Sequence, residues 1–136
     1  MIPVHAVSQK LILCIDDDAA ILCFEKALLE RSGYAVITAS SAQEGLGLLT
    51  DCKFDAVLLD YEMPGMKGGD VALEIKRLRP DLAVILLSGS EVPVSALALV
   101  DAFVFKLDAS RELLPMIAQL CGRIRGPQSM QEGFRS

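Results

Sequence analysis

The sequence predicts an α/β protein built on a doubly wound, five-stranded parallel sheet with helices on both faces. Five short apolar runs recur at fairly even intervals along the 136 residues, and segments of helical periodicity lie between them. Three of the runs show no alternation of polar and apolar residues, which is typical of strands covered on both faces. Right-handed crossovers fold such β–α units into one sheet. The runs are Leu11–Ile15, Tyr34–Ile37, Ala56–Leu59, Leu82–Leu87 and Ala102–Phe105.

The first unit joins the strand Leu11–Ile15 to a helix predicted over Ala19–Arg31. Apolar residues recur at helical spacing in this segment and form one broad stripe. The stripe consists of Ile21, Leu22, Phe24, Leu28 and Leu29. Gly33 follows as a C-terminal stop, and the second strand begins directly after it.

Capping and stop signals bound the next two helices. The segment Ser41–Glu44 reads as a capping box that opens a helix running through Leu49. After the third strand, Asp70–Arg79 carries apolar residues at helical spacing and stops at Pro80, which cannot continue a helix. Both helices therefore have a sequence signal at one end at least.

The last two units are less regular. Val94–Val100 is short and almost wholly apolar, so the fourth helix is predicted to be short. The fifth strand is followed by a helix over Arg111–Cys121. Pro115 lies inside that helix, where it removes one backbone hydrogen bond and is expected to kink it.

One domain of residues 10–121 contains all the predicted elements. Residues 1–9 are expected to be an N-terminal extension and residues 122–136 a flexible C-terminal tail, because the tail has too little apolar surface to offset its ordering entropy. The longest apolar runs are far shorter than the roughly 18–20 residues that cross a bilayer. The N-terminus also lacks a secretory signal pattern. We therefore expect a cytoplasmic protein that does not bind a membrane.

Charge and cysteine content argue against a nucleic-acid partner and against a cysteine metal site. The net charge is −5, Trp is absent and aromatic residues are few, which argues against a nucleic-acid partner. The four cysteines are scattered without a metal-binding spacing, and we expect reduced, mostly buried thiols. They are Cys14, Cys23, Cys52 and Cys121.

Charged and polar residues stand where the predicted strands end. Asp16–Asp18 follows the first strand, Asp60 the third, Ser88 the fourth and Lys106 the fifth. Ligands of open parallel sheets bind at this edge. Clustered carboxylates repel one another, and a hard cation such as Mg²⁺ relieves that repulsion. An ammonium and a hydroxyl facing such a pocket suit a bound phosphoryl group.

The motifs LILCIDDD, VLLDYEMPGMKG, ILLSGS and FVFK, in this order, resemble those of the receiver domain of two-component response regulators, of the chemotaxis-regulator kind. The resemblance covers about residues 10–121 and implies a flavodoxin-like sheet in the order 2-1-3-4-5. It also implies a signalling module rather than an enzyme. The phosphoryl group would come from a histidine kinase or phosphotransfer protein, and the output would pass to a downstream protein or a homodimer.

The resemblance further implies a role for each matching residue. Asp60 would accept the phosphoryl group, and Ser88 and Lys106 would contact its oxygens. Mg²⁺ would be held by Asp60, by Asp17 directly, by Asp16 through water and by the backbone carbonyl of Glu62. Ser88 and Phe103 would form the conformational switch.

The sequence departs from the family pattern at three places. Leu107 follows Lys106 where the family has proline; a cis non-proline bond costs roughly 3–4 kcal/mol, so we expect a trans bond. The interval between Ser88 and Lys106 is short, which again predicts a shortened fourth helix. Glu62 lies two residues after the acceptor, and electrostatics favour a rotamer that points its carboxylate to solvent.

Two alternatives stay open at this point. A degenerate receiver would act as an unphosphorylated protein-binding scaffold. A phosphatase of the haloacid dehalogenase type would use a strand-end Asp as nucleophile and a second Asp two residues later, a spacing that Asp16 and Asp18 offer. Phosphorylation by a small donor separates the receiver from the scaffold, and repeated turnover would indicate the phosphatase.

Overall fold

The structure is a computed structural model that describes residues 9–122. The expected N-terminal extension and C-terminal tail therefore lie almost entirely outside the described residues. Strands and helices alternate throughout this range. The elements are β1 (Leu11–Ile15), α1 (Ala19–Arg31), β2 (Ala35–Ala39), α2 (Ala42–Asp51), β3 (Ala56–Asp60), α3 (Gly68–Leu78), β4 (Ala83–Ser88), α4 (Val94–Leu97), β5 (Ala102–Phe105) and α5 (Ala109–Cys121).

The five strands form one parallel sheet in the order β2-β1-β3-β4-β5, which confirms the predicted fold. All five residues of the central strand β3 are buried. Two apolar clusters cover the two faces of the sheet. On one face β1 packs with α1 and α5, and on the other it packs with α2 and α3. No helix within residues 9–122 is long and apolar enough to span a membrane.

The buried face of α1 differs from the predicted stripe. Phe24 is 43% exposed, whereas Glu25 is only 3% exposed and lies on the buried face with Leu22 and Leu29. An α-helix turns about 100° per residue, so Phe24 stands about 200° around the helix from Leu22. The prediction for Phe24 was wrong because the true stripe passes through a charged residue.

The fourth helix is a single turn of four residues, as the short apolar segment predicted. The chain then enters β5 through Asp101, whose carboxylate accepts a hydrogen bond from the Val84 N–H at 2.8 Å. The same carboxylate pairs with the Lys76 ammonium of α3 at 2.6 Å. This brace joins α3, β4 and the start of β5 beside the short helix.

The segment after β5 has the predicted peptide bond, but its helix begins earlier than predicted. The Lys106–Leu107 bond is trans. Residues Lys106–Asp108 form a 3₁₀ turn that leads directly into α5. Helix α5 begins two residues earlier than predicted and continues through Pro115 to Cys121.

Candidate functional site

The predicted residues converge at the carboxyl edge of the sheet. Asp16 follows β1 and Asp60 ends β3, and both are almost fully buried, at 1% and 2% exposure. Lys106 follows β5 and lies between them. Its Nζ is 2.9 Å from Asp60 Oδ1 and 3.5 Å from Asp16 Oδ2. One ammonium thus faces two buried carboxylates.

Backbone hydrogen bonds orient both carboxylates. Asp60 Oδ1 accepts the Glu62 N–H at 3.2 Å. Asp16 Oδ1 accepts the Asp18 N–H at 2.9 Å, and the Asp16 N–H donates to the Ala39 carbonyl at 3.1 Å. The other Asp16 oxygen, Oδ2, is buried and has no hydrogen-bond partner. Its nearest cation is the Lys106 ammonium at 3.5 Å.

Asp16, Asp17 and Asp60 each offer a carboxylate oxygen, and these oxygens lie within 4.8 Å of one another. Burial raises the pKa of Asp16 to about 6; the Asp18 N–H opposes the rise, while the Asp60 charge adds to it. Oxygen donors that crowd together and lack sufficient positive charge suit Mg²⁺. The Asp16 oxygen that has no hydrogen-bond donor therefore fits a divalent cation, and Asp17 is the exposed member of the cluster.

Lys106 retains its charge in this site. Burial alone lowers the pKa of Lys106, but the hydrogen bond to Asp60 and the charges of Asp16 and Asp60 outweigh it, so the net pKa is raised. The ammonium is therefore available to meet an anion bound at Asp60.

The third residue of the acidic run has a different role. Asp18 is the N-cap of α1, and its carboxylate accepts the Ala20 N–H at 2.9 Å and the Ile21 N–H at 3.4 Å. Such a cap stabilises a helix by roughly 0.5–2 kcal/mol. The run thus divides into two site residues and one capping residue.

Ser88 ends β4 and is fully buried. Its Oγ accepts the Ser90 N–H at 3.1 Å. The Glu62 carboxylate lies beside the same loop: Oε1 is 3.4 Å from the Gly89 nitrogen and Oε2 is 3.1 Å from Ser90 Oγ. Glu62 is exposed as expected, yet its carboxylate is bound to protein groups rather than fully solvated.

Phe103 is half-buried and packs against the apolar cluster of α2 and α3. Its ring meets the Phe105 ring edge to face, with centroids 4.7 Å apart and planes at 80°. Phe105 is paired with Ser88 in the β4–β5 register. The aromatic pair therefore flanks the strand end that carries Ser88.

Glu25 is the residue near the site that the sequence interpretation missed. Burial raises the pKa of Glu25 to about 8; the Asp16 charge adds to the rise, and a hydrogen bond from the Cys14 thiol opposes it. The signal was the spacing Leu22, Glu25, Leu29, which repeats at three and four residues along α1.

Known proteins resemble this chain in sequence. Residues 12–117 match the family model described as the response regulator receiver domain. The transcriptional regulatory protein GlrR of Escherichia coli is 38% identical over 77 residues, which are 57% of this chain and 17% of GlrR. The chain thus spans less than a fifth of that relative.

Several solved structures have a fold similar to that of this chain. A CheY-like receiver domain protein from Methanospirillum hungatei has a TM-score of 0.79 at 35% identity, covering 82% of this chain and 93% of that one. The response regulator TrrA from Thermotoga maritima, solved in complex with Mg(2+)-BeF, has a TM-score of 0.78 at 33% identity. It covers 82% of this chain and 99% of that one. TrrA in its complex with the histidine kinase ThkA has a TM-score of 0.76, at 34% identity and with 82% and 98% coverage.

Proposed function

Because the chain belongs to the response regulator receiver domain family, we propose that Asp60 accepts a phosphoryl group in a Mg²⁺-dependent reaction and that the resulting change in conformation carries a signal. The observation that carries this proposal is the position of Asp60. Its buried carboxylate ends the central strand, 2.9 Å from the Lys106 ammonium and within the acidic cluster.

An Asp60 oxygen is the nucleophile of the proposed step. It forms a bond to phosphorus while the bond from phosphorus to the donor group breaks and the donor keeps the electron pair. Lys106 turns from the Asp60 carboxylate to the phosphoryl oxygens, and the Ser88 hydroxyl donates to the same group. The residues that would hold Mg²⁺ are Asp16, Asp17, Asp60 and the Glu62 carbonyl, and the ion would supply positive charge opposite the phosphoryl oxygens.

The phosphodonor we propose is a histidine kinase or a phosphotransfer protein. The complex of the similar regulator TrrA with the histidine kinase ThkA supports this class of partner. The output partner, a separate protein or a second copy of this chain, and a cytoplasmic location remain predictions. Activities of the longer relatives belong to those whole proteins, since the chain matches only part of each.

The alternatives are less well supported. A degenerate scaffold would not need the contact from Lys106 to Asp60 or the cluster of three carboxylates, and this chain has both. A phosphatase would need the Asp18 carboxylate free for acid–base chemistry, whereas it caps α1.

Phe103, beside the Ser88 strand end, is the proposed aromatic partner of the switch.

Intact-mass analysis after incubation with acetyl phosphate and Mg²⁺ tests the proposal. The wild type should gain the mass of one phosphoryl group, and Asp60→Asn should gain none. Asp18→Asn is the matched control, because asparagine caps a helix as well as aspartate does and the variant should be phosphorylated normally. Equal phosphorylation of Asp60→Asn would overturn the assignment.

A further inference from the structure

The side chain of Glu62 connects the loop that follows β3 with the loop that follows β4. Glu62 lies in the loop after β3, and residues 89–93 form the loop between β4 and α4. Both Glu62 carboxylate oxygens are used: one is within hydrogen-bonding distance of the Gly89 N–H and the other of the Ser90 hydroxyl. Contacts to two successive residues fix this carboxylate more firmly than a single exposed contact would.

The bonded loop is also the one that follows Ser88. The Ser90 N–H donates to Ser88 Oγ at 3.1 Å, while the Ser90 side chain meets Glu62. Ser90 therefore connects the Glu62 carboxylate to the hydroxyl that would meet a phosphoryl group. A movement of Glu62 would therefore reach Ser88 through Ser90, which contacts both residues.

We propose that Glu62 is a positioning residue that holds the loop 89–93 in its unphosphorylated position and releases it when Asp60 is phosphorylated. This rests on the proposed function, since release needs a phosphoryl group on Asp60. Such a group carries about two negative charges, and the Glu62 carboxylate, two residues away in the chain, repels it. The phosphoryl oxygens also compete with that carboxylate for the N–H and hydroxyl donors of the loop.

The contact therefore stabilises the unphosphorylated state alone. Removing it should make the phosphoryl-bound state more accessible, not less. Loss of the negative charge of Glu62 would also strengthen binding of a phosphoryl group. The decisive variant is therefore one that breaks the contact and keeps the charge. Ser90→Ala does so for the shorter of the two contacts: it removes the hydroxyl that meets Glu62, and it keeps the Gly89 N–H contact and the Ser90 N–H that donates to Ser88.

Equilibrium binding of beryllofluoride in the presence of Mg²⁺ is the first test. Ser90→Ala should bind beryllofluoride about threefold more tightly than wild type, which is the low end of the effect of a single hydrogen bond because this one is exposed to solvent. In a Glu62→Ala background the same substitution should have no effect, because the contact is already absent. Glu91→Gln, which removes an exposed charge in the same loop, is the control and should leave the effect of Ser90→Ala unchanged.

The amide resonance of Gly89 in the metal-free protein is the second test. Glu62→Ala should shift that resonance and speed its hydrogen exchange, whereas Glu91→Gln should not. Unchanged or weaker beryllofluoride binding by Ser90→Ala, or an unmoved Gly89 amide in Glu62→Ala, overturns the proposal. If wild type itself fails to bind beryllofluoride, the proposed function and the release step both fail, while the Gly89 amide still reports the resting contact.

Discussion

Glu25 gives the sharpest prediction for stability. It is 3% exposed, and burial raises its pKa from 4.5 to about 8 in the folded protein. An acid whose pKa is raised on folding binds more protons in the folded state between those two values, so stability falls as pH rises through this window. The contribution of Glu25 to the free energy of unfolding is therefore most favourable below pH 4.5, and it has reached its lowest value above pH 8.

The size of the effect follows from the same shift. One pKa unit corresponds to about 1.4 kcal/mol, and between pH 5 and pH 7.5 Glu25 is ionised in the unfolded chain but stays mostly protonated in the fold, so the free energy of unfolding should fall by about 3 kcal/mol. Glu25→Gln removes the ionisation and keeps the length of the side chain. The stability of Glu25→Gln relative to wild type should therefore rise by about 3 kcal/mol over that interval.

Urea unfolding at pH 5 and pH 7.5 in buffer without Mg²⁺ measures this difference. Asp16 titrates in the same window in both proteins, and its charge is a smaller cause of the raised pKa of Glu25 than burial, so burial sets most of the expected difference. Glu30→Gln, at the exposed end of the same helix, is the control and should keep the wild-type pH profile. If the difference between Glu25→Gln and wild type is the same at both pH values, the reasoning about burial is refuted.

Three further predictions concern the site. Asp17→Ala should abolish Mg²⁺ binding in calorimetry, because it removes the exposed member of the acidic cluster; binding like that of wild type would place the metal elsewhere. Mg²⁺ affinity of the wild type should fall below pH 6, because the pKa of Asp16 is raised to about 6 and protons then compete with the metal; a flat profile from pH 5 to 7 would contradict this. Lys106→Ala should lower the free energy of unfolding by about 2 kcal/mol without Mg²⁺, because it leaves Asp16 and Asp60 buried without a cation. Urea unfolding with added Mg²⁺ should recover part of that loss, and no loss in metal-free buffer would contradict it.

The strands were predictable because burial on both faces leaves continuous apolar runs. The weakest match is β2, predicted as Tyr34–Ile37 and observed as Ala35–Ala39, because an edge strand contains the less apolar Thr38 and Ala39. Helix α3 begins at Gly68 rather than Asp70. A Cβ at Gly68 would lie 2.6 Å from the Tyr61 Cα, so close packing requires a residue that usually signals a loop.

The site was predictable for a different reason. In a parallel sheet the residues that end successive strands must meet at one edge, so Asp16, Asp60 and Lys106 could be placed together from their strands alone. The bond between Glu62 and Ser90 could not, because it joins two loops 28 residues apart whose conformations no local pattern sets. The burial of Glu25 was missed because charge was taken as a sign of exposure.

Glu25 and the site belong to one electrostatic unit. The charge of Asp16 adds to the raised pKa of Glu25, and the Lys106 ammonium opposes it. A cation held by Asp16 would reduce the repulsion that Glu25 experiences, and this would favour ionisation of Glu25. The loss of stability that the raised pKa of Glu25 causes at neutral pH should therefore be smaller when Mg²⁺ is bound, which links the core beneath α1 to the occupancy of the site.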